Sequence, residues 1–95
     1  MMMLWLLACG PDYSEGQIER GSLNCQILDI CGQLEILHYE SVDACIQDAE
    51  AQSYPASQCP NYVPARMRDC LDAYQDAIDA KDCETDLTVF CDVCD

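Results

Sequence analysis

The sequence predicts an all-α fold, a small disulfide-stapled bundle of three main helices: a helical hairpin, a third helix and a short C-terminal turn. Three observations carry this expectation. Apolar residues recur at spacings of three and four in three separate stretches, the period of one buried helix face. Cys25, Cys31, Cys45, Cys59, Cys70, Cys83, Cys91 and Cys94 run through the same region, an even set of eight, as a closed disulfide framework requires. No strand alternation appears outside Leu87–Phe90. A chain of 95 residues buries little apolar surface relative to its ordering entropy. Bridges worth about 2–4 kcal/mol each fill that gap, against about 5–15 kcal/mol for an ordinary domain.

The first helix is expected to start at Ser22 as N-cap and run to about Tyr39. Leu23, Ile27, Ile30, Leu34 and Leu37 form its buried stripe. Cys31 borders the stripe, and Cys25 lies on another side, because six residues advance a helix by about 240°. Ser41 caps a second helix carrying Val42, Cys45, Ile46 and Ala49, which fades before Pro55. The linker at 38–41 is short, so these two helices form an antiparallel hairpin. That hairpin sets Cys45 against Cys31 and Cys59 near Cys25, one choice among the many connectivities eight cysteines allow.

Residues 53–63 read as a loop, and Pro64 suits the first turn of the third helix. Val63, Met67, Cys70, Leu71, Tyr74, Ala77 and Ile78 give that helix its stripe, which ends near Lys81. A helical turn over 85–91 follows. The closing Cys91-Asp92-Val93-Cys94 staples the C-terminus to the third helix, most simply through Cys70 and Cys83. Tyr74 and Phe90 are expected in the core, with Tyr39, Tyr54 and Tyr62 either in the core or in a contact patch.

Residues 1–9 form an uncharged apolar run that ends in Ala8 and Cys9, with Gly10 and Pro11 straight after. Leu6-Leu7-Ala8-Cys9 resembles the lipobox of bacterial lipoproteins. The resemblance implies an acylated (palmitate-bearing) Cys9 and a leader, residues 1–8, that is cut off before it. Secretory leaders normally carry a basic n-region and run about 15–30 residues. No Lys or Arg precedes Cys9 and the chain opens on three Met residues, so the true leader is expected to begin further upstream. Eight residues are too few to cross a bilayer core of about 30 Å. Residues 9–21 then read as the lipidated cysteine and a flexible glycine-containing tether, and 22–95 as the disulfide-rich helical domain.

Eighteen acidic residues face four basic ones, a net charge of −14. Nucleic acid is excluded as a partner, because neutralising phosphate takes clustered Lys and Arg. Attachment to anionic lipid by charge is disfavoured for the same reason, which leaves the acyl group as the route to a membrane. The surplus favours cations or basic surfaces.

Candidates for chemistry are few. Cys91 and Cys94 have the spacing of a redox dithiol, but Asp92 and Asp95 beside them raise a thiol pKa and work against a reactive thiolate. His38 is the one histidine, too little with a single C-x-x-C to build a zinc site. There is no G-x-S-x-G, no glycine-rich phosphate loop and no nucleophile–base pair, so no catalytic residue, enzyme activity, metal or cofactor is expected. Asp69, Asp72, Asp76 and Asp79 follow helical spacing opposite the buried stripe, with Asp82, Glu84 and Asp86 nearby. They read as a solvated face, partly relieved by Arg66–Asp69 and Arg68–Asp72 pairs.

Lipobox, tether and helices with cysteines about ten to thirteen residues apart, as in Cys59-Pro60, Cys70-Leu71 and Cys83, are together similar to the small cysteine-rich lipoproteins of Gram-negative soil bacteria, myxobacteria above all. The resemblance implies export and a lipid-anchored, disulfide-bonded helical domain. It implies outer-membrane placement too, since Gly10 and Pro11 lack the Asp that favours inner-membrane retention. The expected function is a non-catalytic envelope or cell-surface domain, a protein-interaction or structural module. The alternative is a periplasmic redox or metal-handling protein using Cys91 and Cys94.

Overall fold

The structure, a computed structural model, describes residues 10–95, so the acylation expected at Cys9 and the leader before it lie outside the described residues. It is an all-α bundle of three helices, α1 (Tyr13–Ile30), α2 (Val42–Ala51) and α3 (Pro64–Ala80), with 3-10 turns at Ala56–Gln58 and Leu87–Phe90. No strand is present among the described residues. One isolated antiparallel bridge joins Tyr62 to Cys94.

Helix α1 begins nine residues earlier than Ser22 and replaces most of the expected tether. Its N-cap is Asp12, whose carboxylate accepts from the Glu15 N–H at 2.8 Å. The glycines that suggested a flexible linker are packing positions. A Cβ on Gly16 would lie 2.5 Å from Met67 Cγ, and one on Gly21 would lie 2.8 Å from Ala49 Cβ. Glycine here lets two helices approach α1 closely, and that contact outweighs its low helix propensity.

The same helix also ends early. Cys31 is its C-cap and Gly32 takes the left-handed conformation at φ +69°. The Gln33 N–H then donates to the Leu28 carbonyl at 2.8 Å, a closure that stops the helix. Residues 31–41 therefore form a loop, where the sequence predicted helix as far as Tyr39. Of the expected stripe, Leu23, Ile27 and Leu34 are buried, Leu34 from the loop, whereas Ile30 and Leu37 are exposed.

Helix α1 lies between the other two and packs against both. Gly10 meets Pro64, Gly16 meets Met67 and Cys31 bonds to Cys83, so α1 and α3 run in the same direction. Gly21 meets Ala49 and Cys25 bonds to Cys45, so α2 runs the opposite way. Two sides of α1 are covered, and its apolar residues accordingly split between two clusters. Tyr13, Leu23 and Ile27 join Met67, Cys70, Leu71, Tyr74 and Val93 on the α3 side. Cys25 and Leu28 join Leu34, Cys45 and Ile46 on the α2 side.

The other two helices begin where the sequence places them. The Ser41 hydroxyl accepts from the Ala44 N–H at 3.1 Å to start α2, and Pro64 occupies the first turn of α3. Helix α3 stops at Lys81, which adopts the left-handed conformation at φ +53°.

Candidate functional site

All eight cysteines of the described residues are bonded: Cys25–Cys45, Cys31–Cys83, Cys59–Cys94 and Cys70–Cys91. The Cys70–Cys91 bridge is among the pairings the sequence offered for the C-terminal staple. The others are corrected, and the cause is the register of α1. With that helix ending at Ile30, Cys25 lies opposite the first turn of α2 and takes Cys45 in place of Cys31. Cys31, at the C-terminal end of α1, meets Cys83 just beyond the C-terminal end of the parallel α3. Cys59 is left for Cys94, and backbone pairing holds them there: the Val63 N–H donates to Val93 at 2.8 Å, and the Asp95 N–H to Asn61 at 2.9 Å.

Cys91 and Cys94, the candidate redox pair, thus belong to separate bridges. Cys70, the partner of Cys91, is wholly buried, and the partner of Cys94 is the buried Cys59. The two sulfurs are held by different parts of the fold and not by one another.

The acidic residues of α3 gain a setting that the sequence did not show. The Cys70–Cys91 bridge brings residues 82–91 back along α3 and encloses an open groove of about 430 Å³. Asp69, Asp72 and Asp76 line one wall. Ala73, Ala77 and Ala80 form a low floor, and Leu87 and Phe90 form the opposite wall. Among the described residues, no Lys or Arg lines it. Phe90, expected in the core, is 46% exposed at the groove edge, next to Val89 at 67%. Its 3-10 turn presents the ring beside α3 but does not bury it.

The acidic residues then divide by task. Asp79, the fourth of the stripe, lies outside the groove lining and accepts from Gln75 Nε2 at 3.1 Å. Asp82 closes one end of the groove and organises the turn after α3. Its carboxylate accepts from the Thr85 hydroxyl and from the N–H groups of Glu84 at 3.0 Å and Thr85 at 3.1 Å. Those bonds, led by the Thr85 hydroxyl, hold its pKa below the usual aspartate value. Asp86 is likewise lowered by Thr88, whose hydroxyl and N–H it accepts while capping the last 3-10 turn. Arg66, expected to pair with Asp69, instead reaches Asp95 at 3.7 Å across an exposed surface.

Other predicted positions are dispersed. His38 is exposed in the loop after α1 at φ +65°, its N–H donating to Glu35 at 3.0 Å. Tyr39 donates to Asp48 at 2.6 Å and ties that loop to α2. Tyr13 and Tyr62 meet edge to face, 5.6 Å between centroids, and the Tyr62 hydroxyl donates to the Pro11 carbonyl. Burial, followed by the nearby Asp12 charge, raises the Tyr62 pKa. Among the described residues no three His, Cys, Asp or Glu side chains converge as metal ligands would. No helix there is long and apolar enough to cross a membrane.

Comparison with protein-family models, with curated proteins and with solved structures finds no match to this chain.

Proposed function

We propose that the chain is a non-catalytic, extracytoplasmic interaction module, lipid-anchored at the outer membrane through Cys9 and held rigid by its four bridges. One observation carries the reading: every cysteine from Cys25 to Cys94 is spent in a crosslink. Such a framework persists in an oxidising compartment and is rare in the cytosol. It leaves Cys9 as the odd sulfur, which suits an acylation site.

The packing of residues 10–12 adds a mechanical consequence. The backbone at Gly10 approaches Pro64 so closely that a Cβ there would lie 2.3 Å from the Pro64 carbonyl oxygen, and Tyr62 holds Pro11. Only one peptide unit, about 3.8 Å between Cα atoms, separates Cys9 from this contact. An acyl group on Cys9 would hold the α1 and α3 N-terminal ends against the bilayer, where a twelve-residue tether would have let the domain stand off. The loop at 31–41, with Ile36 71% exposed, would face away.

Intact mass of the protein extracted from native membranes tests this. The expected result is a diacyl or triacyl mass on Cys9 and no alkylation until a reductant is added. Free thiols in the freshly extracted protein, or an unacylated chain recovered from the cytosol, would overturn it.

A further inference from the structure

The groove between α3 and residues 82–90 combines features that select one kind of partner. Its floor and far wall are apolar: Ala73, Ala77, Leu87 and Phe90. Its near wall carries only negative charge. Asp69, Asp72 and Asp76 span about 10 Å of helix at about 1.5 Å per residue, and Asp82 adds a fourth carboxylate at one end. Among the described residues, no Lys or Arg is part of the groove lining. Its volume of about 430 Å³ lies within the range of ligand sites, about 300–1,000 Å³.

We propose that this groove docks a basic amphipathic segment of a partner protein, a stretch with Lys or Arg on one side and an apolar side chain between them. The proposal rests on the interaction-module reading above and names the partner's chemistry. Charge complementarity commits it to a cation. An ammonium or guanidinium group meets the aspartates of α3, while its methylene stem lies along the alanine floor. The apolar anchor fills the space between Ala77 and Phe90, where the small floor residues leave room. A bare cation would satisfy the carboxylates alone and leave the half-exposed Phe90 and the partly buried Leu87 uncovered. An uncharged apolar peptide would bury them and leave the aspartates facing nothing. The chain's net charge of −14 steers the partner in at low ionic strength.

The test is a titration of the intact, oxidised protein with a short synthetic peptide carrying three Lys at helical spacing and one Leu, followed by backbone amide shifts. Shifts confined to residues 69–80 and 82–90, weakened by added salt, are expected. Asp72→Asn/Asp76→Asn should weaken binding by about tenfold or more. So should Ala73→Lys, which places the chain's own cation on the floor without touching the core. Replacing Leu by Ser in the peptide should cost several-fold as well. Shifts spread evenly over the acidic surface would overturn the proposal. So would spermidine or calcium matching the peptide at equal charge, or indifference to both groove variants. Alkylation mass on the same sample separates the two readings: eight blocked sulfurs with no peptide response would refute the partner class and leave the scaffold standing.

Discussion

Helix α1 is shared by two halves that are built differently. On the α3 side, Met67 and Cys70 are fully buried, ten buried residues make one cluster, and two bridges, Cys59–Cys94 and Cys70–Cys91, run through it. On the α2 side three residues are buried, Cys25, Leu34 and Cys45, and two of those three are the bridge itself. One half has a core that crosslinks reinforce. The other has a crosslink with a little core around it. In a chain this small, apolar burial suffices for one centre, and the second element must be held covalently.

The largest test of that contrast is Cys70→Ala/Cys91→Ala. It removes a crosslink worth about 2–4 kcal/mol and also leaves a void at a position with no exposure. Residues 82–91 should leave α3, and urea unfolding should show the deepest loss of any bridge deletion. A smaller loss than that of Cys25→Ala/Cys45→Ala would reverse the ranking of the two halves.

Met67→Ala comes next, at about 2–5 kcal/mol for truncating a buried Met. Its partner is Gly16, where an added Cβ would fall 2.5 Å from Met67 Cγ. Gly16→Ala alone should overpack the contact, at about 1–3 kcal/mol. In the double variant the new methyl fills part of the space that the lost side chain vacates. The pair should therefore lose less stability than the two single changes summed, as a double-mutant cycle on chemical denaturation would read. Strict additivity would mean that α1 and α3 do not meet there.

How far the chain could be read beforehand follows the same division. The starts of α2 and α3 were legible because Ser41 and Pro64 are local signals that need no partner. The start of α1 was written just as locally, in Asp12 with Glu15 three residues on. Gly16 and Gly21 hid it, since their purpose is visible only once Met67 and Ala49 are in place. The early end of α1 at Ile30, set by Gly32, is what misassigned Cys25, Cys31 and Cys59. The acidic stripe was legible from spacing alone, but its groove was not. Leu87 and Phe90 reach it through the turn at Asp82 and the Cys70–Cys91 bridge, contacts that no local spacing in the sequence shows.

On the α2 side, Cys25→Ala/Cys45→Ala should cost about 2–4 kcal/mol, and the loss should be confined. Amides of residues 31–51 should exchange freely with solvent, while those of α3 keep their protection, because the Met67 cluster does not depend on that bridge. Simultaneous loss of protection in α2 and α3 would show that the halves unfold as one unit.

The smallest expected effect concerns what remains of the α2 side when its bridge is intact. The hydrogen bond from Tyr39 to Asp48, then burial and the Asp48 charge, raises the Tyr39 pKa above 10.0. A raised folded-state pKa means that this contact stabilises the fold below the ordinary tyrosine range and stops doing so as pH climbs through the raised value. In Asp48→Asn the Tyr39 phenolate should form at lower pH, as read by ultraviolet absorbance, with Tyr62 still raised because its shift comes mainly from burial. Protection of the loop at 31–41, relative to the intrinsic exchange rate at each pH, should fall at alkaline pH in the parent protein, and that of α3 should not. If Tyr39 titrates alike in both proteins, the hydroxyl does not hold this loop, and the bridge with the small cluster around it keeps α2 on α1.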